Sequence, residues 1–284
     1  MEEPVLRVEN LVVRFGGRRG GLTVIDDVSF HINAGETLSV VGESGSGKTT
    51  IGRAILGLAP VTAGSITFRG EGISNIPRAR RRKVARAIQV VFQDPYSSLN
   101  PAMTVEDILV EPLAATGVTG GRERVRTLLD AVGLPSDAGR RYPREFSGGQ
   151  RQRIAIARAL ALEPSVIVCD EPTSALDVTT QARVLTLLAD LQRQTGVAYL
   201  FISHDLGVVH EVSDRIAVLY KGRIVEIGNA RDVATDPQHT YTRKLQMAAP
   251  VADPKKQRVR RAKRLELLEA ERALPAQPEI ADAS

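Results

Sequence analysis

Gly42-Glu43-Ser44-Gly45-Ser46-Gly47-Lys48-Thr49 sets a lysine and a hydroxyl directly behind three closely spaced glycines. Glycines at that spacing let backbone N–H groups turn inward around phosphate oxygens, and a helix beginning at Lys48 points its positive end at the same charge. The octet fits the P-loop pattern G-x-x-x-x-G-K-[ST] in full. It also stands where such a loop belongs, between the apolar run Leu38-Ser39-Val40-Val41 and a helical pattern from about Lys48 to Leu58. In that setting Lys48 is expected to bridge β- and γ-phosphates and Thr49 to ligate Mg²⁺. A merely glycine-rich turn would not be expected to carry the whole pattern in this context.

A loop of this kind needs an acidic metal partner at the end of a neighbouring strand. Val166-Ile167-Val168-Cys169-Asp170-Glu171 supplies one, four apolar residues ending in two carboxylates. Asp170 is expected at the strand's C-terminal edge facing the Mg²⁺ shell, and Glu171, one residue on, is suited to polarising an attacking water. Many strands end in acidic residues, so the run gains its meaning from the phosphate loop.

The elements that must position these residues follow from periodicity. Val5–Val8 and Val28–Ile32 alternate apolar and polar as strands do, and Leu38–Val41 suits a buried strand. From about Asp94 to Leu162 the β-branched alternation fades and helical segments such as Arg122–Val132 and Gln150–Leu162 take over, which predicts a helical subdomain inserted into an α/β core. The core resumes with Val166–Cys169, a helix near Thr179–Gln194, a strand Ala198–Ile202, and short strands around Ile216–Tyr220 and Arg223–Ile227. No internal repeat is evident. Beyond Pro250 the chain turns charged, then rich in proline and alanine, which divides it into a domain of residues 1–250 and an appendage of 251–284.

Bulk properties remove several function classes. A chain of 284 residues with 43% hydrophobic and 25% charged residues has an ordinary globular composition. Its apolar stretches are broken well before the ~20 residues a membrane-spanning helix needs, and Met1-Glu2-Glu3 is unlike a signal peptide, so the chain is expected in the cytoplasm. The single cysteine, Cys169, sits in an apolar run and reads as a small buried hydrophobe. Much of the +5 net charge lies in two clusters, Arg78-Arg80-Arg81-Arg82-Lys83 and Lys255–Arg264. Without interleaved aromatic residues both are expected to be solvated helix faces rather than nucleic-acid surfaces.

Further segments resemble the ATP-binding-cassette (ABC) ATPase family, over nearly the whole chain up to about Pro250. Phe146-Ser147-Gly148-Gly149-Gln150 is similar to the family's signature motif, Ser174-Ala175-Leu176-Asp177 to its D-loop, Gln93 to its Q-loop and His204 to its switch histidine. Phe15 resembles the aromatic on which adenine stacks, although the family more often has tyrosine there and a core phenylalanine is the competing reading. The resemblance implies an ABC-type P-loop fold with a β-rich N-terminal subdomain, ATP and Mg²⁺ as ligands, and an ATPase. It implies catalytic roles for Glu171, His204, Gln93 and Lys48, and places Gln93 with Thr49 and Asp170 at the metal. Nucleotide contacts are implied for Phe15, Gly42, Ser44, Gly45, Gly47, Lys48, Thr49, Thr50, Ser147, Gly148, Gly149, Gln150 and Asp177. Every residue so assigned lies at or before His204.

Ser147, Gly148 and Gly149 precede the run Gln150–Leu162, so they form a second helix N-terminus with donors for an anion. Two phosphate-binding surfaces on one chain suggest two chains sharing each nucleotide, and the family pairs head to tail. The partner is then a second copy or a paralogue. Gln93-Asp94-Pro95-Tyr96-Ser97-Ser98-Leu99-Asn100-Pro101, Tyr142–Gln150 and Pro237-Gln238-His239-Thr240-Tyr241-Thr242-Arg243 resemble the ATPases of oligopeptide, dipeptide and nickel importers, most of all the second ATPase of oligopeptide importers. That branch usually has His-Pro-Tyr-Thr where His239-Thr240-Tyr241-Thr242 stands, and the cysteine-bearing stretch common in its tails is missing, so no iron–sulfur cluster is expected. The resemblance implies membrane permease subunits as partners, a solute-binding protein indirectly, a place on the inner face of the cell membrane, and no nucleic acid. The alternatives are a soluble ABC ATPase acting on nucleic acid, or an importer subunit for another solute such as nickel.

Overall fold

The computed structural model describes residues 3–16, 21–117 and 121–248. The basic run Lys255–Arg264 and the whole 251–284 appendage lie outside them.

Two sheets form the framework. Strands β1 (Leu6–Phe15), β2 (Leu22–Ile32), β4 (Ala63–Phe68) and β5 (Glu71–Gly72) make an antiparallel sheet in the order β2-β1-β4-β5. Strands β3 (Thr37–Val41), β6 (Ile88–Val91), β7 (Val166–Asp170), β8 (Ala198–Ser203), β9 (Arg215–Tyr220) and β10 (Arg223–Asn229) make the second, in the order β10-β9-β3-β8-β7-β6. Its pairings are parallel except for the β9–β10 hairpin.

Helix α1 (Lys48–Ile55) follows β3, and α2 (Arg78–Ala87) precedes β6. Helices α3 (Pro95–Ser98), α4 (Val105–Ala115), α5 (Gly121–Ala131) and α6 (Gly148–Leu160) all fall between β6 and β7, which pair directly. The chain therefore leaves the sheet for a helical excursion and returns beside its point of departure. Helix α7 (Val178–Thr195) links β7 to β8, α8 (Leu206–Val209) follows β8, and α9 (Ala230–Thr235) and α10 (Thr240–Ala248) follow β10. Among the described residues no helix is long and apolar enough to cross a membrane.

Alternation along the parallel strands builds two cores on opposite faces of one sheet. Ile167, Cys169, Tyr199, Phe201, Ile216 and Val218 face the helical side, with α4 to α7. Val166, Val168, Ala198, Leu200, Ile202, Ala217 and Leu219 face α1 and the antiparallel sheet. A parallel sheet covered on both faces needs apolar residues at every position, which is why these strands read as unbroken apolar runs. Gly52 lets α1 lie close: a Cβ there would stand 3.1 Å from both Ile202 Cδ1 and Val168 Cγ1.

The first basic cluster forms α2, a helix with no buried residue. Arg81 departs from the expected solvated face, since its guanidinium donates to the carbonyls of Ile55 and Ile73 at 3.0 and 2.5 Å. Cys169 is fully buried, and burial pushes its thiol far above the ordinary range.

On the helical side, Arg151 of α6 lies over the ring of Tyr96 in α3, 4.0 Å from its centroid, and Arg158 donates to Ser98 O at 2.5 Å. The short turn after Gln93 is thereby held against α6, the helix that Ser147 caps.

Candidate functional site: a phosphate cradle at the sheet edge

The glycine loop turns between the buried β3 and α1 because only glycine fits two of its positions. Gly47 caps α1 at φ 106°, in the left-handed region, where a Cβ would stand 2.6 Å from Ile25 Cδ1. A Cβ on Gly42 would stand 2.2 Å from Leu219 O. The loop is thus pressed between β2 on one side and β9 on the other. Ser44, Gly45, Gly47, Lys48, Thr49 and Thr50 line a cleft of about 310 Å³ together with Val24 and Glu171. Ser46, not singled out by its type or spacing, has a buried hydroxyl without a partner among the described protein atoms, which a ligand oxygen or a water must satisfy.

Lys48 is buried and donates to Gly42 O at 2.8 Å and Glu43 O at 2.9 Å. Burial lowers its pKa, opposed by the charges of Glu171, Asp170 and Glu43. An ammonium held by two carbonyls among three carboxylates is a local cation ready for phosphate oxygens.

Thr49 donates from Oγ1 to Asp170 Oδ1 at 3.0 Å. Burial raises the Asp170 carboxyl above its usual value, and the Thr49 hydrogen bond opposes the rise. Two hard oxygens side by side at the cradle suit Mg²⁺, which keeps several waters and takes one or two protein oxygens plus phosphate. Among the described residues no group of three or more His, Cys, Asp or Glu could form an all-protein metal cage.

Glu171 sits at the end of β7 with its backbone at φ 47°, an uncommon left-handed conformation for a residue with a side chain. Its N–H donates to Ile202 O of β8 at 2.9 Å, which fixes the turn. Its Oε2 meets Gln93 Nε2 at 3.3 Å and His204 Nδ1 at 3.2 Å. Gln93 and His204, from just beyond the ends of β6 and β8, therefore converge on the Glu171 carboxylate at the end of β7, beside the phosphate loop.

The structure does not bring the signature residues into this cleft. Ser147 caps α6 in a reciprocal box: its hydroxyl accepts from Gln150 N at 3.3 Å, and Gln150 Oε1 accepts from Ser147 N at 2.9 Å. Two of the N–H donors expected to face an anion are thus occupied by the box. Gly149 lies against α7, where a Cβ would stand 2.2 Å from Thr180 Cγ2. Asp177 caps α7 by accepting from Thr180 N at 3.0 Å, and the side-chain hydrogen bond with Thr180 holds its carboxyl below the usual range. Signature loop and D-loop form one packed unit, separate from the cleft-lining residues of their own chain.

Phe15 is 43% exposed at the end of β1, cross-strand from Leu22. It does not belong to the core; its position is two strand residues from the level of Val24, which lines the cleft.

One contact lies beyond the stretch from which site residues were expected. Tyr241 of α10 accepts from Glu43 N at 2.9 Å, so a residue after His204 touches the phosphate loop. The partners are 198 positions apart, and a tyrosine in an amphipathic helix reads as core. Its hydroxyl carries no local signal of this contact.

The sequence profile described as "ABC transporter" matches residues 25–174. The glutathione import ATP-binding protein GsiA of Escherichia coli K12 is 53% identical over 269 residues, covering 91% of this chain and 43% of the relative. GsiA of Shigella flexneri is 52% identical over the same length, with the same coverage. The chain therefore spans less than half the length of these curated relatives. Among solved structures, cbiO1 of Clostridium perfringens, part of the ABC transporter complex cbiONQ, superposes with a TM-score of 0.74 at 26% identity, covering 94% of this chain and 100% of that one. The ATP-binding cassette MJ0796, in a dimeric post-hydrolysis state bound to ADP and Pi, superposes with a TM-score of 0.70 at 28% identity, covering 80% of this chain and 99% of that one. With the profile matching more than half of its length, the chain belongs to the ABC transporter family.

Proposed function

We propose that this chain binds Mg·ATP in the cleft above α1 and hydrolyses it as the motor subunit of an importer for peptide-type solutes. The observation that carries the reading is the convergence of Gln93 and His204 on Glu171 beside the Lys48–Thr49 loop. Backbone N–H groups of the loop and the N-terminus of α1 hold the phosphates, and Lys48 reaches the β- and γ-oxygens. Thr49, Asp170 and Gln93 would hold Mg²⁺, which when bound would neutralise charge on the phosphate oxygens. Glu171 takes a proton from the water that attacks the γ-phosphorus as the bond to the bridging oxygen breaks. Gln93 and His204 hold the Glu171 carboxylate, with His204 close enough to sense the departing phosphate. Phe15 stacks on the adenine.

Because Ser147–Gln150 and Asp177 are not among the residues that line the cleft of their own chain, they are assigned to the nucleotide of a second cassette, either another copy or a paralogue. The phosphate complex of a dimeric cassette with the same fold supports that pairing. ATP-driven closure would pass through the Gln93 turn to a permease on the inner face of the membrane, with a solute-binding protein beyond it. Likeness to glutathione import proteins favours a short peptide as the solute. No observation favours action on nucleic acid. The ATPase unit is assigned to residues 1–250, with its helical insertion at about 94–162, and 251–284 to an appendage.

The test is phosphate release by the purified chain with Mg·ATP, beside Glu171→Gln. Release that depends on Mg²⁺ and falls in the variant supports the reading; release unaffected by the substitution removes it. Transport is tested separately, by ATP-dependent uptake of labelled glutathione and dipeptides into vesicles carrying the permease and this subunit.

A further inference from the structure

We propose that Tyr241 is a positioning residue for the phosphate loop, through which the helix that follows the sheet becomes part of the nucleotide site. This rests on the ATP-binding reading above.

The contact falls on one peptide unit. Tyr241 Oη accepts the N–H of Glu43 at 2.9 Å, and the carbonyl of the same peptide, Gly42 O, accepts from Lys48 Nζ at 2.8 Å. The peptide that opens the loop is therefore gripped at both ends. A hydrogen bond to its N–H makes its carbonyl a better acceptor, so the two contacts strengthen each other. When Lys48 turns to the phosphates the carbonyl loses that partner, and Tyr241 is then the side chain that keeps the peptide in place.

The tyrosine is itself held firmly. It is buried, and its ring lies 4.2 Å from the ring of Tyr220, at the end of β9 next to β3. Its helix is anchored by the preceding segment. Gln238 N and His239 N donate to the two carboxylate oxygens of Glu226 on β10, at 2.8 and 3.0 Å. Arg243 Nε donates to Pro237 O at 2.9 Å, and Gln246 Nε2 to Ala234 O at 2.6 Å. Burial raises the phenol's pKa, the Glu43 hydrogen bond opposing it, so the group stays a neutral hydroxyl. The hydroxyl is thus an acceptor presented to the loop from a fixed support.

Tyr241→Phe deletes the hydroxyl and keeps the ring that packs on Tyr220. Glu43 N–H then lacks its acceptor, and the loop samples other arrangements before nucleotide arrives. The expected result is an ATP affinity weakened about two- to tenfold, the effect of one neutral hydrogen bond. KM rises correspondingly and kcat stays near wild type, because Glu171, Gln93 and His204 are untouched. Tyr220→Phe is the control, since it retains the stacked ring and, among the described residues, the hydroxyl it removes makes no hydrogen bond to Glu43; it should match wild type.

Two measurements on the full chain decide the matter. Binding of a fluorescent ATP analogue with Mg²⁺ gives the affinities. Hydrogen–deuterium exchange over residues 42–48 without nucleotide reads the loop directly, and should be faster in Tyr241→Phe than in wild type or Tyr220→Phe. Unchanged exchange in Tyr241→Phe overturns the inference whatever the nucleotide does. Faster exchange with unchanged affinity also overturns it, since the contact would then be structural only. A wild-type chain that binds no nucleotide, yet shows the exchange difference, sinks the ATP reading and leaves the hold on the loop standing.

Discussion

Glu171 Oε2 lies 3.2 Å from His204 Nδ1 and 3.3 Å from Gln93 Nε2, so one carboxylate oxygen is shared by residues from two neighbouring strand ends. An amide in its place keeps the shape and loses the proton acceptor. Glu171→Gln should retain Mg·ATP and lower the hydrolysis rate by about 10²- to 10⁴-fold, the usual contribution of a general base. Single-turnover phosphate release checks this, and near-normal turnover would remove Glu171 from the chemistry. Size-exclusion chromatography of the variant with saturating ATP reports whether this chain pairs with itself; monomers would point to a paralogous partner.

Lys48→Ala removes a buried ammonium and leaves Gly42 O and Glu43 O without their donor. ATP affinity should fall about tenfold or more, the scale of a charge-assisted hydrogen bond. Equilibrium binding measures it, and an unchanged affinity and hydrolysis rate would contradict the phosphate assignment.

Asp170 carries a pH dependence whose sign follows from burial. Its folded-state pKa is raised above the ordinary value of 3.8. A raised carboxyl favours folding fully only below about 3.8, and that contribution is lost as pH rises through the raised value. At neutral pH the ionised group therefore weighs against the metal-free fold. Asp170→Asn should melt higher than wild type at pH 7 without metal or nucleotide, with the gap closing toward pH ~4, while Mg²⁺-dependent nucleotide binding is lost. Circular-dichroism melts across that range decide it; a variant that melts lower at pH 7 contradicts the argument.

Much of this site is legible in the chain because its signals are local. The P-loop octet, the apolar run ending at Asp170 and the strand ending at Ser203 each declare themselves within a few residues. Strands β4 and β6 do not, because Gly64, Ser65 and Gln89 interrupt their apolar pattern and both are held by pairing with distant β1 and β7. Tyr241 is illegible for the same reason in a sharper form, since its contact depends on how α10 is anchored to β10. Phe15 reads equally as an adenine-stacking aromatic and as a core phenylalanine because an aromatic at a strand end fits both, and only its pairing with Leu22 on β2 shows it exposed.

Gly149 is packed against Thr180, and Gly149→Ala should destabilise the signature loop by about 1–3 kcal/mol, the range for overpacking. Binding of ATP to the chain's own cleft should survive, while hydrolysis that needs the paired cassette should fall. Adding Thr180→Ser removes the clashing methyl and should restore most of the rate. A double variant no more active than the single one would place the defect elsewhere.

Truncation after residue 250 should leave nucleotide affinity intact, because Tyr241 and its anchors are kept. A cut before Pro237 should weaken it at least as much as Tyr241→Phe does. Loss of binding in the longer fragment, with its secondary structure shown intact by circular dichroism, would make the appendage part of the motor.

The contacts between α3 and α6 differ in what they permit. A cation over a ring face is held toward the ring but not to any one of its atoms, so the contact of Arg151 with Tyr96 is undirected, although Arg151 Nε is itself fixed to Pro143 O at 2.7 Å. The bond from Arg158 to Ser98 O is directional and fixes one point. Together they make a pinned pad, which would let the signature helix swivel against the Gln93 turn about Ser98 without coming away from it. In the proposed pair of cassettes, a small rotation at their contact would reach the turn as a tilt rather than a separation, with an amplitude that grows with distance from the pin.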